Sequence, residues 1–132
     1  LPPGSGFVFR HYHLAPEARA ARFRALGARA RSAGHLVVLA DSPETARAWG
    51  AQGVYGRAAR RASEGGLIRL ATAHDGAELA AAGRFGAEGV FLSPVFPSRS
   101  HPEGETLGIH GFHVLAQQSR VPVIALGGMT HA

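Results

Sequence analysis

The residues best equipped for chemistry cluster in two short stretches. Val90-Phe91-Leu92-Ser93 reads as the end of a buried strand, and Pro94-Val95-Phe96-Pro97-Ser98-Arg99-Ser100-His101 follows as a rigid turn. That turn offers hydroxyls at Ser93, Ser98 and Ser100, the Arg99 guanidinium and the His101 imidazole, a donor set suited to phosphate oxygens. A solvated Pro/Ser-rich loop is the plainer alternative. The second stretch, Ile124-Ala125-Leu126-Gly127-Gly128-Met129, is an apolar run ending in two glycines. Side chains are absent at Gly127 and Gly128, so successive backbone N–H groups can approach an anion closely. A tight turn without a ligand is the competing reading.

Single groups follow other apolar runs. Arg10, His11, Tyr12 and His13 come after Phe7-Val8-Phe9, Asp41 after Leu36-Val37-Val38-Leu39-Ala40, and His74 after Leu70-Ala71-Thr72-Ala73. An imidazole near its ordinary pKa can take or give a proton at neutral pH, so His74 is a candidate base. The pairs His11/His13 and His110/His113 have metal-like spacings, but no third ligand accompanies either. His110 and His113 are expected to face solvent from a helix.

These groups need elements to hold them. Near-continuous apolar runs predict strands buried on both faces, as in a parallel sheet covered by helices. Strands are expected at Phe7–Arg10, Leu36–Ala40, Gly53–Tyr55, Leu67–Thr72, Gly89–Ser93 and Val121–Leu126. Helices are expected at Ala15–Ser32, from the Ser42 cap through Pro43 to Trp49, at Asp75–Phe85, and at Phe112–Gln118. Asp75 with Glu78 three residues later resembles a capping box. Gly34, Gly50 and Gly86 are expected as left-handed helix ends. Strand–loop–helix repeats of this kind build either a (β/α) barrel or an open doubly wound sheet, and both place functional loops beyond the strands' carboxyl ends.

Composition narrows the class. The 132 residues suit one domain spanning 1–132, and 45% hydrophobic content supports a core. Cysteine is absent, which removes disulfides, thiolate nucleophiles and thiolate metal sites. No apolar stretch approaches the roughly 20 residues of a membrane span, and no secretory leader is visible. A cytoplasmic location and no membrane partner are therefore the expectations. All 14 basic residues are arginine, giving a net charge of +5. Arg19, Arg22, Arg24, Arg29 and Arg31 fall in one Ala-rich stretch, and Arg57, Arg60 and Arg61 in another. Solvated helix faces are the expected reading, a phosphorylated small ligand the next, and nucleic acid the least favoured, since a nucleic-acid binder usually concentrates its charge in one patch with aromatic residues between.

Ser-Pro-Val-Phe-Pro-Ser-Arg-Ser-His, then Gly108, then Val-Pro-Val-Ile-Ala-Leu-Gly-Gly-Met together resemble the thiamine phosphate synthase / thiazole tautomerase (TenI-like) family. The likeness is strongest over residues 86–129 and extends, more weakly, over the rest of the chain. It implies a (β/α)8 TIM barrel in incomplete form, with strands two to seven present and two strand edges open to a partner, possible second copies of the chain included. It also implies a transferase that joins hydroxymethylpyrimidine diphosphate to thiazole phosphate in thiamine biosynthesis, releasing pyrophosphate with Mg²⁺. On that mapping Arg10 contacts the diphosphate beside Ser98 and Ser100, and Asp41 is the Mg²⁺ ligand. Gly127 and Gly128 hold the thiazole phosphate, and Gly108 lines the same pocket. The family's lysines are replaced by Tyr12 and His101, and its second metal aspartate has no counterpart near Arg57–Arg61. Thiazole tautomerisation, with His74 as the proton carrier and no metal, is the alternative activity. A non-catalytic phosphate-binding paralogue is the alternative outside enzymes.

Overall fold

The computed structural model describes residues 1–62, 65–99 and 102–130. Ser100 and His101, both candidate phosphate contacts, lie outside the described residues. The chain divides into two compact units, Leu1–Arg69 and Leu70–Ala132.

The first unit alternates strand and helix. β1 (Gly6–Phe9), α1 (Pro16–Ser32), β2 (Leu36–Leu39), α2 (Pro43–Trp49) and β3 (Gly53–Tyr55) follow in order, and Gly56–Arg61 forms a 3-10 turn. β1 pairs in parallel with β2, Phe9 opposite Leu39, and β2 with β3, Leu39 opposite Val54. Phe9, Val37, Val38, Leu39 and Val54 are essentially solvent-free, as double-faced burial of an apolar strand requires. Phe23 of α1 joins them, edge-on to Phe9 at 5.3 Å and beside Trp49 at 5.5 Å. α2 begins as expected: the Ser42 hydroxyl accepts from the Thr45 N–H, Pro43 occupies the first turn, and Gly50 ends the helix in the left-handed region. At Gly53 a Cβ would lie 2.6 Å from the Ile68 carbonyl oxygen, so this strand start has room for no side chain.

β4 (Ile68–Ala73) carries the division between the units. The second unit continues with α3 (Gly76–Arg84), β5 (Gly89–Leu92), α4 (Gly108–Gln118) and β6 (Val123–Ala125). β4 pairs in parallel with β5, Ala73 opposite Leu92, and β5 with β6, Leu92 opposite Ala125. Its core joins Ala71, Ala73, Leu79, Ala82, Val90 and Leu92, with Phe112 and Leu115 of α4 packed against it. Asp75 caps α3 by accepting from the Glu78 N–H at 2.8 Å.

Two expectations need correction. α4 starts at Gly108, four residues before Phe112, because Gly108 takes a left-handed conformation (φ +64°) that turns the chain into the helix. The stretch carrying Arg57, Arg60 and Arg61, read as a solvated helix face, is a short 3-10 turn between β3 and β4. Among the described residues no helix is long and apolar enough to cross a membrane.

Candidate functional site

In the second unit three successive strands deliver candidate groups at their carboxyl ends. His74 follows β4, Ser93 follows β5, and Gly127–Gly128 follow β6 by one residue. Backbone bonds hold these exits together: the Ser93 N–H donates to the Ala73 carbonyl at 3.0 Å, and the Leu126 N–H donates to Leu92 at 3.1 Å. Beyond β5, the Val95 N–H donates to Leu126 O at 2.9 Å and the Phe96 N–H to Gly127 O at 3.1 Å. The diglycine bend therefore lies directly against the Pro94–Phe96 turn. A Cβ on Gly127 would sit 2.8 Å from Pro94 Cα, and one on Gly128 would sit 2.7 Å from the Phe96 carbonyl oxygen. Both glycines also have positive φ, +96° and +64°. Contact and conformation independently demand glycine here.

Gly108 joins the same cluster through its N–H, which donates to Val95 O at 2.9 Å. Ser98 is half-buried and Arg99 exposed, on the loop that continues from Phe96.

His74 is exposed and tied to Glu78. Glu78 Oε2 lies 2.9 Å from His74 Nδ1 and accepts from the His74 backbone N–H at 2.8 Å. A carboxylate at Nδ1 fixes the proton on that nitrogen in the neutral ring and leaves Nε2 as the acceptor. The Glu78 carboxylate accepts from the N–H of His74, the residue before the Asp75 cap, and orients the imidazole of that same residue.

The first unit gathers Arg10, Asp41 and a residue that sequence reasoning misplaced. Arg19 was expected on a solvated helix face with Arg22, Arg24, Arg29 and Arg31; it is buried, while those four are exposed. From α1 its Nε and Nη2 donate to the Arg10 carbonyl at 3.2 and 3.0 Å, Nη2 also donates to Ala40 O at 3.1 Å, and Nη1 pairs with Asp41 Oδ2. The rings of Phe9, Tyr12 and Trp49 surround its Cζ at 5.8, 5.7 and 5.5 Å. The other Asp41 oxygen accepts from the Ser42 N–H at 2.7 Å. Burial alone pushes the Asp41 carboxyl up, but the Ser42 N–H and the Arg19 guanidinium outweigh it and hold the carboxyl below its ordinary value.

Arg10 itself is exposed, its guanidinium 5.4 Å from the Tyr12 ring centre and 5.9 Å from that of Tyr55. Burial raises the Tyr55 phenol's pKa, against the pull of the Arg10 charge.

The model of the family described as "Thiamine monophosphate synthase" matches residues 5–132. The chain belongs to the thiamine monophosphate synthase family. A Levilactobacillus brevis protein titled "Thiamine-phosphate synthase" is 32% identical over 129 residues, covering 89% of this chain and 58% of that protein. An Aquifex aeolicus protein titled "Putative thiamine-phosphate synthase 2" is 40% identical over 45 residues, 34% of this chain and 24% of its own. The chain thus spans well under two thirds of the length of either relative. The solved structure of a thiamine phosphate pyrophosphorylase from Pyrococcus furiosus matches with a TM-score of 0.80 at 22% identity, covering 96% of this chain and 63% of that one. That likeness shows the fold: α/β, the thiamine phosphate synthase type of TIM barrel in incomplete form, with six of its parallel strands.

The Mg²⁺ that the family likeness implies does not fit the residues around Asp41. Mg²⁺ requires several hard oxygen ligands in near-octahedral array. The oxygens that converge here, Asp41 Oδ2, Ala40 O and Arg10 O, all accept from one guanidinium. A second cation at Oδ2 would meet that charge at close range. Among the described residues no group of three His, Asp or Glu side chains is placed to hold a metal ion. The Asp41 carboxylate is instead engaged as an internal ion-pair partner, Oδ2 with Arg19 and Oδ1 with the Ser42 N–H.

Proposed function

We propose that the second unit binds a phosphorylated thiazole and moves a proton on it without a metal. The observation that carries this reading is that His74, Ser93 and the Gly127–Gly128 bend end three neighbouring strands of one unit, with the His74 ring oriented by Glu78. The phosphate sits at the diglycine bend, where no side chain can intervene. Ser93 lies between the bend and His74. Gly108 lines the pocket, with Ser98 and Arg99 on the adjoining loop as further phosphate donors. His74 Nε2 takes a proton from one ring position and returns it at another, so no atoms are gained or lost. Glu78 stabilises the imidazolium formed between the two transfers.

Synthase chemistry is the second reading, favoured by the relative titled "Thiamine-phosphate synthase" that aligns over 89% of this chain. Here Arg10 receives the diphosphate of hydroxymethylpyrimidine, and positive charge from arginine offsets the departing pyrophosphate. No step of this reading runs through Asp41-bound metal.

One experiment separates the two. Proton exchange and tautomer interconversion of a thiazole phosphate are followed by NMR in EDTA, and pyrophosphate release is followed with both substrates and Mg²⁺. Metal-independent interconversion lost in His74→Ala supports the first reading. Pyrophosphate release that survives His74→Ala replaces it with the second. Saturable thiazole-phosphate binding with neither turnover leaves a binding protein.

A further inference from the structure

Arg19 has the surroundings of a bound cation rather than of a surface arginine. It is 8% exposed, yet three oxygen acceptors from two different strand ends converge on it. Arg10 O comes from the residue after β1, and Ala40 O and Asp41 Oδ2 come from the residues after β2. A planar fork with five N–H donors can span such a set, whereas a lysine ammonium would act as a point charge. Aromatic rings from Phe9, Tyr12 and Trp49 supply the remaining shell, with their electron-rich faces available to a cation.

We propose that Arg19 is a built-in cation that occupies the oxygen site formed by Arg10, Ala40 and Asp41, excludes divalent metal from Asp41, and thereby positions Arg10. Two donors from Arg19 grip the Arg10 carbonyl, so the backbone from which the exposed Arg10 guanidinium projects is anchored to β2. Arg19 spends its donors inward on protein oxygens; it is a positioning residue. The ligand class facing Arg10 is a phosphate or diphosphate, met by a guanidinium already set in place beside Tyr12 and Tyr55. This inference does not use the His74 reading and stands or falls separately from it.

The test measures Mn²⁺ binding to the purified chain by EPR of the free ion, in the presence of inorganic pyrophosphate to complete a coordination shell. The proposal expects the wild type and Asp41→Asn to bind Mn²⁺ indistinguishably. It expects Arg19→Met to bind at least about tenfold more tightly, because a like charge has been removed from beside the carboxylate. The double variant Arg19→Met with Asp41→Asn loses that gain. Arg19→Lys keeps the charge and continues to exclude the ion, which a merely space-filling role would not predict. Mn²⁺ binding by the wild type that weakens tenfold in Asp41→Asn overturns the proposal, and so does a folded Arg19→Met with no gain. Should Arg19→Met not fold, the wild type against Asp41→Asn and Arg19→Lys decides by itself. The Arg19 Nε–H signal in a ¹⁵N spectrum gives an independent readout. It is expected to stay protected and unshifted as Mg²⁺ is added, and a shift with added ion counts against the proposal.

Discussion

Glu78 Oε2 meets both the Nδ1 and the backbone N–H of His74, at 2.9 and 2.8 Å, across one turn at the start of α3. One carboxylate thus fixes the ring and the chain that carries it. The Asp75 cap supports the arrangement by holding the Glu78 N–H at 2.8 Å. If His74 is the proton carrier, His74→Ala lowers turnover of the thiazole phosphate by about 10²–10⁴-fold, the usual worth of a positioned acid–base group. Glu78→Gln lowers kcat with little change in KM, because binding of the phosphate does not involve it. Steady-state kinetics on the three proteins checks both statements.

Gly128 and Gly127 are predicted to be the least replaceable residues of the second unit. Gly128→Ala drives a methyl group to 2.7 Å from Phe96 O and also demands a positive φ. Loss of thiazole-phosphate binding by at least tenfold and a lower Tm are expected, measured by calorimetry of binding and of unfolding. Gly108→Ala is the control. It shares the positive φ but has nothing within 4 Å of the new methyl, so it loses only about 1–2 kcal/mol of stability.

Breaking the Arg19–Asp41 pair is costly in the first unit. Removing one partner of a buried ion pair typically destabilises by about 3–5 kcal/mol, and the lower end applies because Asp41 keeps some contact with water. Chemical denaturation of Arg19→Met should show a loss of that order.

The same pair sets a pH dependence. The folded-state pKa of Asp41 is depressed, so its contribution to stability is fully present above the unfolded value of about 3.9. It is lost as pH falls through the lower folded value. Unfolding free energies measured from pH 6 down to pH 2 should therefore decline less steeply in Asp41→Asn than in the wild type.

Packing at the first unit's centre predicts the largest hydrophobic effect. Phe23 is fully buried between Phe9 and Trp49. Phe23→Ala should cost about 3–5 kcal/mol through lost transfer energy and the cavity left behind. The shift in the denaturation midpoint reports it.

The amino-acid sequence by itself determined the alternation of strands and helices, within a residue or two at most ends, because apolar runs and capping residues are local signals. Ser42-Pro43 starts α2 and Asp75 starts α3 wherever those segments sit. The adjacency of the diglycine bend to the Pro94–Phe96 turn was also legible, since successive strands of such a fold present their exits side by side. Arg19 was not legible. α1 carries five arginines spread among alanines, so its composition marks no single one as inward-facing. Only the tertiary structure chose which turn of α1 faces the ends of β1 and β2, and a charge buried there is tolerable because three oxygens arrive from residues 9, 21 and 22 positions away. Local sequence fixes where elements begin; desolvation and partners brought from a distance decide what a charged side chain becomes.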